Sequence, residues 1–140
     1  MRYVFAAVIC MIMTSCAATA SRQHRSGINA VLNEQFSLYE KENKEEFFNS
    51  ISKDYYPDYN EFYYLVEDFL HRQDNIWVDF NIEKVLESGN ANSVDIEWYK
   101  TYVDRRGQVQ KRSGFSTFIF DTSKRKPKLI NVKGDNPFTQ

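Results

Sequence analysis

The spacing of apolar residues along this chain changes once, and that change constrains the fold more than any other feature of the sequence. As far as residue 70, apolar side chains such as Phe36 and Tyr39 recur at steps of three or four, which is the period of an amphipathic helix. From residue 76 onward, apolar and polar residues alternate at steps of two, which is the period of a strand with one buried face. The sequence therefore predicts helices first and a sheet after them.

Three helices are expected before the change of period. The first is predicted from Ile28 to about Tyr39, and a second short one over residues 47–51 follows a polar break at residues 40–46. A third helix is predicted to end near residue 71, after a turn at residues 53–59 and with Asp58 or Asn60 as its N-cap.

Four strands are predicted after the helices, separated by turns at residues 89–90, 104–107 and 122–127. The alternation slips at residues 84–85, which indicates a bulge in the first strand. Short connections join antiparallel neighbours, so the expected fold class is α+β, with N-terminal helices packed on one face of a curved antiparallel four-stranded meander.

This order of elements, in about 110 residues, resembles the NTF2-like (nuclear transport factor 2-like, cystatin-like cone) superfamily. The resemblance is carried by core and turn positions in four segments of the chain, residues 45–55, 58–62, 91–98 and 129–135. It implies a curved sheet that wraps a long helix, with a pocket at the open end of the cone. It implies no particular reaction, because members of the superfamily include enzymes, binding modules and assembly domains.

The first residues of the chain are typical of a secretory signal. Arg2 is followed by an apolar stretch of eleven residues, 3–13, which would span about 16 Å as a helix and is too short for a hydrocarbon core of about 30 Å. Two processing routes remain open. Residues 13–16 resemble the lipobox of bacterial lipoproteins, with Cys16 as the acylated residue, whereas residues 18–20 form an A-x-A site for cleavage after Ala20.

The cysteine count favours lipidation. Cleavage before Cys16 would leave a mature chain with that one cysteine, and a thioether to a membrane lipid explains a single thiol in an exported protein. We therefore expect a signal peptide over residues 1–15, a lipidated tether over residues 16–27 and the NTF2-like domain over residues 28–140. In a Gram-negative cell, Ala17 favours an outer-membrane lipoprotein facing the periplasm, and cleavage after Ala20 would instead give a soluble secreted or periplasmic protein.

Composition and charge exclude several function classes. The formal charge is −1, and the basic runs at residues 105–112 and 124–128 fall at opposite ends of the predicted meander, so no nucleic-acid partner is expected. Two isolated histidines, His24 and His71, with no thiol beyond Cys10 and Cys16 do not predict a metal site. The chain has no glycine-rich phosphate loop, and no cofactor is expected.

Aromatic residues supply the candidate binding sites. Tyr55, Tyr59 and Tyr63 are candidates to line a pocket for a small molecule, although a dense aromatic cluster on helices is also what a core requires. Candidates for an interface on the sheet, with a partner protein or a second copy of the chain, are the residues Trp77, Tyr99 and Tyr102.

No catalytic residue is assigned. The resemblance implies that an enzyme of this superfamily uses an aspartate in the cone, sometimes with a histidine, and the carboxylates available for that role are Asp54, Asp79, Asp95 and Asp121. The expected function is therefore a lipid-anchored envelope protein whose domain binds a small molecule or an envelope protein without catalysis. The alternative is an isomerase- or dehydratase-like enzyme acting on a small cyclic substrate in the cone.

Overall fold

The structure, a computed structural model, describes residues 27–140. Residues 33–140 form one compact unit, and residues 27–32 are helical. The predicted signal peptide, the predicted lipidation site at Cys16 and the alternative cleavage site at Ala20 lie outside the described residues. Those assignments, and the domain boundaries drawn from them, stay predictions.

Three helices come first, as the spacing predicts. They are α1 (residues 27–40), α2 (Lys44–Asn49) and α3 (Tyr59–Leu70). Helix α3 is capped by Asp58, whose carboxylate accepts hydrogen bonds from the main-chain N–H groups of Asn60 and Glu61.

Helix α2 begins earlier than predicted. Its N-cap is Asn43, and the acidic residues Glu45 and Glu46 lie in its first turn and not in a polar break. Negative side chains are favourable at a helix N-terminus because they face the positive end of the helix dipole. The break between α1 and α2 is therefore shorter than predicted and is confined to residues 41–43, because the acids that follow occupy helical positions that suit them.

The four strands are β1 (Gln73–Ser88), β2 (Ala91–Asp104), β3 (Val109–Asp121) and β4 (Lys128–Gly134), and they form one antiparallel sheet in the order β1-β2-β3-β4. The α+β fold class is confirmed, and the sheet is not closed into a barrel. The predicted slip in β1 is a register shift between Ile82 and Lys84. A second shift, between Asp74 and Trp77, includes Asn75 at φ 51°, and it lets β1 begin three residues before the predicted start.

The register fixes which side chains share a face of the sheet. One face, here called the inner face, carries the buried residues of the central strands, among them Val94, Ile96, Trp98 and Phe118. The opposite, outer face carries Trp77, Asp79 and Tyr99 on β1 and β2. No helix within the described residues is long and apolar enough to cross a membrane.

Candidate functional site

Aromatic side chains fill the space on the inner face of the sheet. Phe138, which follows the last strand, is fully buried at the centre of this cluster. Its ring lies 5.0–6.4 Å, centroid to centroid, from five other rings, which are those of Phe36, Tyr39, Phe47, Phe62 and Phe118. The interior in which the resemblance implies a pocket is therefore occupied by the chain itself.

The residues around Phe138 are tied to the sheet by hydrogen bonds. The indole N–H of Trp98 donates to the main-chain oxygen of Asp135 at 2.9 Å and to the hydroxyl of Ser116 at 2.8 Å. The hydroxyl of Tyr39 donates to the main-chain oxygen of Phe138 at 3.3 Å. Residues 135–140, here called the C-terminal segment, are thus held by both the helical layer and the sheet.

Lys100 is the one lysine among the fully buried side chains of the described residues. Its Nζ donates to the main-chain oxygens of Pro137, at 2.8 Å, and of Gln140, and to Oε1 of Gln73 at 3.4 Å. The rings of Tyr39 and Tyr102 lie 5.6 and 5.2 Å from the ammonium group. A buried amine thus joins the C-terminal segment to β1 and to the inner face of β2.

Burial changes the acid–base properties of this polar centre. Burial lowers the pKa of Lys100 to about 7, and the positive charge of Arg112, its cross-strand neighbour, acts in the same direction. Burial raises the pKa of Tyr39 well above its ordinary value, and it raises the pKa of Tyr55 to about 12. Near neutral pH both phenols therefore keep their protons, while Lys100 lies close to its titration midpoint.

The three tyrosines predicted to bind a ligand make packing contacts with neighbouring residues. Tyr55 is buried and its ring stacks on Phe62 at 4.3 Å. Tyr63 is half-buried against Phe48, and the half-buried Tyr59 accepts a hydrogen bond from Lys53 at 2.6 Å. Their contacts are those of a packed helical layer, which is the role that sequence analysis also left open for this cluster.

The candidate carboxylates lie away from the filled interior. Asp54 and Asp79 are exposed, and Asp95 lies on the outer face, where it accepts a hydrogen bond from the hydroxyl of Thr117 at 2.7 Å. Asp121 is the last residue of β3, and hydrogen bonds from Ser123 lower its pKa. Among the described residues, no cluster of three or more histidine, cysteine, aspartate or glutamate side chains is placed to hold a metal ion.

Two of the three predicted interface residues come together on the outer face. Trp77 and Tyr99 are both exposed, and their rings meet edge to face at 6.2 Å. Tyr102 lies on the inner face, where it is buried beside Lys100. It therefore does not share a surface with Trp77 and Tyr99, because side chains three positions apart in a regular strand point to opposite faces.

The outer face carries exposed apolar residues together with charged residues of both signs. Of the eight large hydrophobic residues that are exposed within residues 27–140, five lie on it, namely Trp77, Leu86, Tyr99, Val109 and Phe115. Acids, among them Asp79, Asp95, Glu97 and Asp121, and the lysines Lys84, Lys111, Lys128 and Lys133 occupy outer-face positions of the same register. A shallow groove of about 390 Å³ runs beside Tyr99 between Asp79 and Glu97.

The sequence pattern did not single out Lys100 or Phe138 as site residues, although the alternation in β2 indicates that Lys100 is buried. Lys100 occupies an inward position in the alternation of β2, two residues after Trp98, so its burial followed from the period. Phe138 stands alone after Pro137 with no periodic pattern around it, and only the fold places it in the core.

Comparisons with known proteins rest on structure, because neither a family model nor a curated protein sequence matches the chain. A conserved protein from Planctomyces limnophilus has 15% identity and a TM-score of 0.70, over 81% of this chain and 99% of that one. An NTF2-like superfamily protein from Salmonella enterica serovar Typhimurium has 14% identity and a TM-score of 0.66, over 84% of this chain and 93% of that one.

The same arrangement of helices and sheet occurs in a subunit of an enzyme complex. The beta subunit of benzoate 1,2-dioxygenase from Burkholderia mallei has 14% identity and a TM-score of 0.58, over 82% of this chain and 96% of that one. An NTF2-like family protein from Streptomyces avermitilis, described as a putative dehydratase, has 11% identity and a TM-score of 0.68, over 81% of this chain and 96% of that one. At these levels of identity the likeness concerns the fold, and the chain has the NTF2-like fold.

Proposed function

We propose that this protein is a lipid-anchored component of the cell envelope whose NTF2-like domain is a non-catalytic binding module. The observation that carries the proposal is the occupation of the interior by Phe138 and the five rings around it. A small-molecule enzyme needs a concave site that encloses most of its substrate. Here the chain fills that space, and three exposed aromatic residues, Trp77, Tyr99 and Phe115, are found on the outer face of the sheet.

The alternative function is an isomerase- or dehydratase-like enzyme, and the polar group that would serve it is the Lys100 centre. An amine with a pKa of about 7 beside Tyr39 suits proton transfer near neutral pH. The main-chain oxygens of Pro137 and Gln140 already accept hydrogen bonds from that amine, and Phe138 occupies the adjoining space. These contacts favour the binding module over the enzyme.

We propose a second copy of the chain as the partner on the outer face. Trp77, Tyr99 and Phe115 provide the aromatic surface, and aromatic residues are enriched where protein interfaces are buried. A twofold interface places the same surface on both sides, so a face that carries both acids and lysines can pair each sign with the other. The beta subunit of benzoate 1,2-dioxygenase, by its name a part of a larger assembly, supports this use of the fold.

The outer-face proposal predicts that replacing Trp77 and Tyr99 together with serine weakens self-association by at least about 30-fold. Truncation of a central aromatic at an interface costs roughly 2 kcal/mol, which corresponds to that change in Kd. The measurement is sedimentation equilibrium of the purified protein over a range of concentrations. The control is Tyr64→Ser, which removes a more exposed aromatic residue from α3 and should leave the Kd unchanged. A wild-type protein that stays monomeric at every concentration would contradict the proposed homodimer.

The lipid-anchor proposal is tested separately, by Cys16→Ala. Two or three acyl chains hold a protein firmly on a bilayer, whereas a chain without them has no such anchor. We expect the wild-type protein in the membrane fraction and the variant in the soluble fraction, as followed by fractionation and by incorporation of a labelled fatty acid. A variant that stays with the membrane and shows no loss of label would refute the assignment of Cys16.

A further inference from the structure

A second groove lies at the end of the sheet formed by the hairpin between β2 and β3. Its volume is about 360 Å³, which is within the range of small-molecule sites. Its walls come from the end of α3, the start of β1 and the residues at the hairpin, and they are Phe69, Arg72, Gln73, Tyr102, Asp104, Arg105 and Arg106. This surface is separate from the outer face and from the residues proposed to form the dimer.

Three guanidinium groups border the groove, and they differ in how far they are already engaged. Arg72 forms a salt bridge with Asp68 and covers the ring of Phe69 at 4.6 Å. Arg105 donates one hydrogen bond of 3.4 Å to the main-chain oxygen of His71, and both it and Arg106 are exposed. Arg105 and Arg106 therefore retain most of their five donors each for a ligand.

The one carboxylate in the groove is committed to the turn. Asp104 accepts hydrogen bonds from the main-chain N–H groups of Arg106 and Gln108, at 2.9 and 3.0 Å, and from the side chain of Gln110 at 2.8 Å. These bonds lower the pKa of Asp104, so it stays ionised and holds the hairpin in place. Against three arginines, one aspartate leaves the lining with a formal charge of +2.

Two aromatic residues, Phe69 and Tyr102, line the groove. The ammonium group of Lys100 is 5.8 and 5.2 Å from their rings. An apolar surface bordered by forked cationic donors matches a molecule with one apolar end and one anionic end.

We propose that this groove binds an organic anion, with its carboxylate or phosphate group held by Arg105 and Arg106 and its apolar body lying on Phe69 and Tyr102. Guanidinium groups recognise both anions through pairs of parallel hydrogen bonds. The proposal is independent of the dimer and of the lipid anchor, because it uses none of the same residues.

The test is a titration of the full-length protein with phenyl phosphate and with phenylacetate, followed by backbone amide chemical shifts. Benzyl alcohol and inorganic phosphate are the comparison probes, since one lacks the charge and the other lacks the apolar body. We expect saturable shifts at residues 69–73 and 102–106, and the stronger of the two anions identifies the class of ligand. The double variant R105Q/R106Q should raise the Kd of that anion at least tenfold.

The matched control is K124Q/R125Q, which removes the same charge from the turn between β3 and β4 at the other end of the meander. Its Kd should stay within twofold of the wild-type value. The variant R105K/R106K keeps the positive charges but loses the paired donors of the guanidinium groups. Its Kd for the anion should lie between those of the wild type and R105Q/R106Q. Equal weakening by the two glutamine variants, equal binding of benzyl alcohol, or no saturable shift at residues 69–73 would overturn the proposal.

Discussion

Replacing Phe138 with alanine is expected to lower the free energy of unfolding by about 3–5 kcal/mol, the range for removal of a buried aromatic ring. The physical reason is that five other rings surround this side chain, so its removal leaves a cavity whose walls come from both layers and cannot close easily. Urea unfolding followed by circular dichroism measures the change.

The control for this prediction is Phe115→Ala, which makes the same chemical change on the outer face. Phe115 is 64% exposed, so its replacement should change the free energy of unfolding by less than about 0.5 kcal/mol in the monomer. If the two variants lost similar amounts of stability, Phe138 would not be the centre of the interior, and the main support for a non-catalytic module would fall with it.

The free energy of unfolding is expected to rise as the pH is raised from about 7 to about 10. Lys100 has a pKa of about 7 in the folded protein, against an ordinary value of 10.5. Between those values the unfolded chain binds a proton that the folded protein does not, so stability increases by up to about 1.4 kcal/mol per pH unit. Below pH 7 the amine is protonated in both states, and Lys100 contributes no slope.

Two tyrosines set the pH above which the free energy of unfolding stops rising. Tyr39 and Tyr55 have raised pKa values in the folded protein, so above about pH 10 the unfolded chain loses phenolic protons that the folded protein keeps. Stability then falls as the pH increases further.

The variant Lys100→Met isolates the contribution of the lysine. It removes the amine and should abolish the rise between pH 7 and 10, while the fall above pH 10 remains. The variant also loses the hydrogen bonds to the main-chain oxygens of Pro137 and Gln140, and this loss lowers its free energy of unfolding at every pH. Parallel stability curves for the wild type and the variant, from urea unfolding at each pH, would contradict the depressed pKa.

The order of helices and strands was predictable because each element has its own period. The slip near Lys84 and the cap at Asp58 were also readable, since a break in alternation and a carboxylate before an apolar helix are local signals. The start of β1 could not be predicted from the sequence, because Asn75 adopts a left-handed conformation that interrupts the alternation.

The candidate sites were harder to predict because they depend on which side chains the fold brings together. Trp77 and Tyr99 share a face as expected, whereas Tyr102 differs from Tyr99 by an odd number of positions and had to point the other way in a regular strand. No comparable rule predicts which way the aromatic residues of α3 face, because a tyrosine at a helical position can face the core or the solvent. The groove beside Arg105 joins residues about 35 positions apart, which no local pattern reveals.

The position of Phe138 also bears on the order in which the chain can fold. The hydrogen bond between Tyr39 and the main chain of Phe138 joins residues 99 positions apart, and the surrounding ring contacts span similar separations. Contacts so distant in sequence form slowly, since a long loop must close before they contribute any stability. A chain synthesised from its N-terminus therefore leaves Phe36, Tyr39 and Phe47 without their contacts to Phe138 until that residue has been made, so the interior closes late in synthesis.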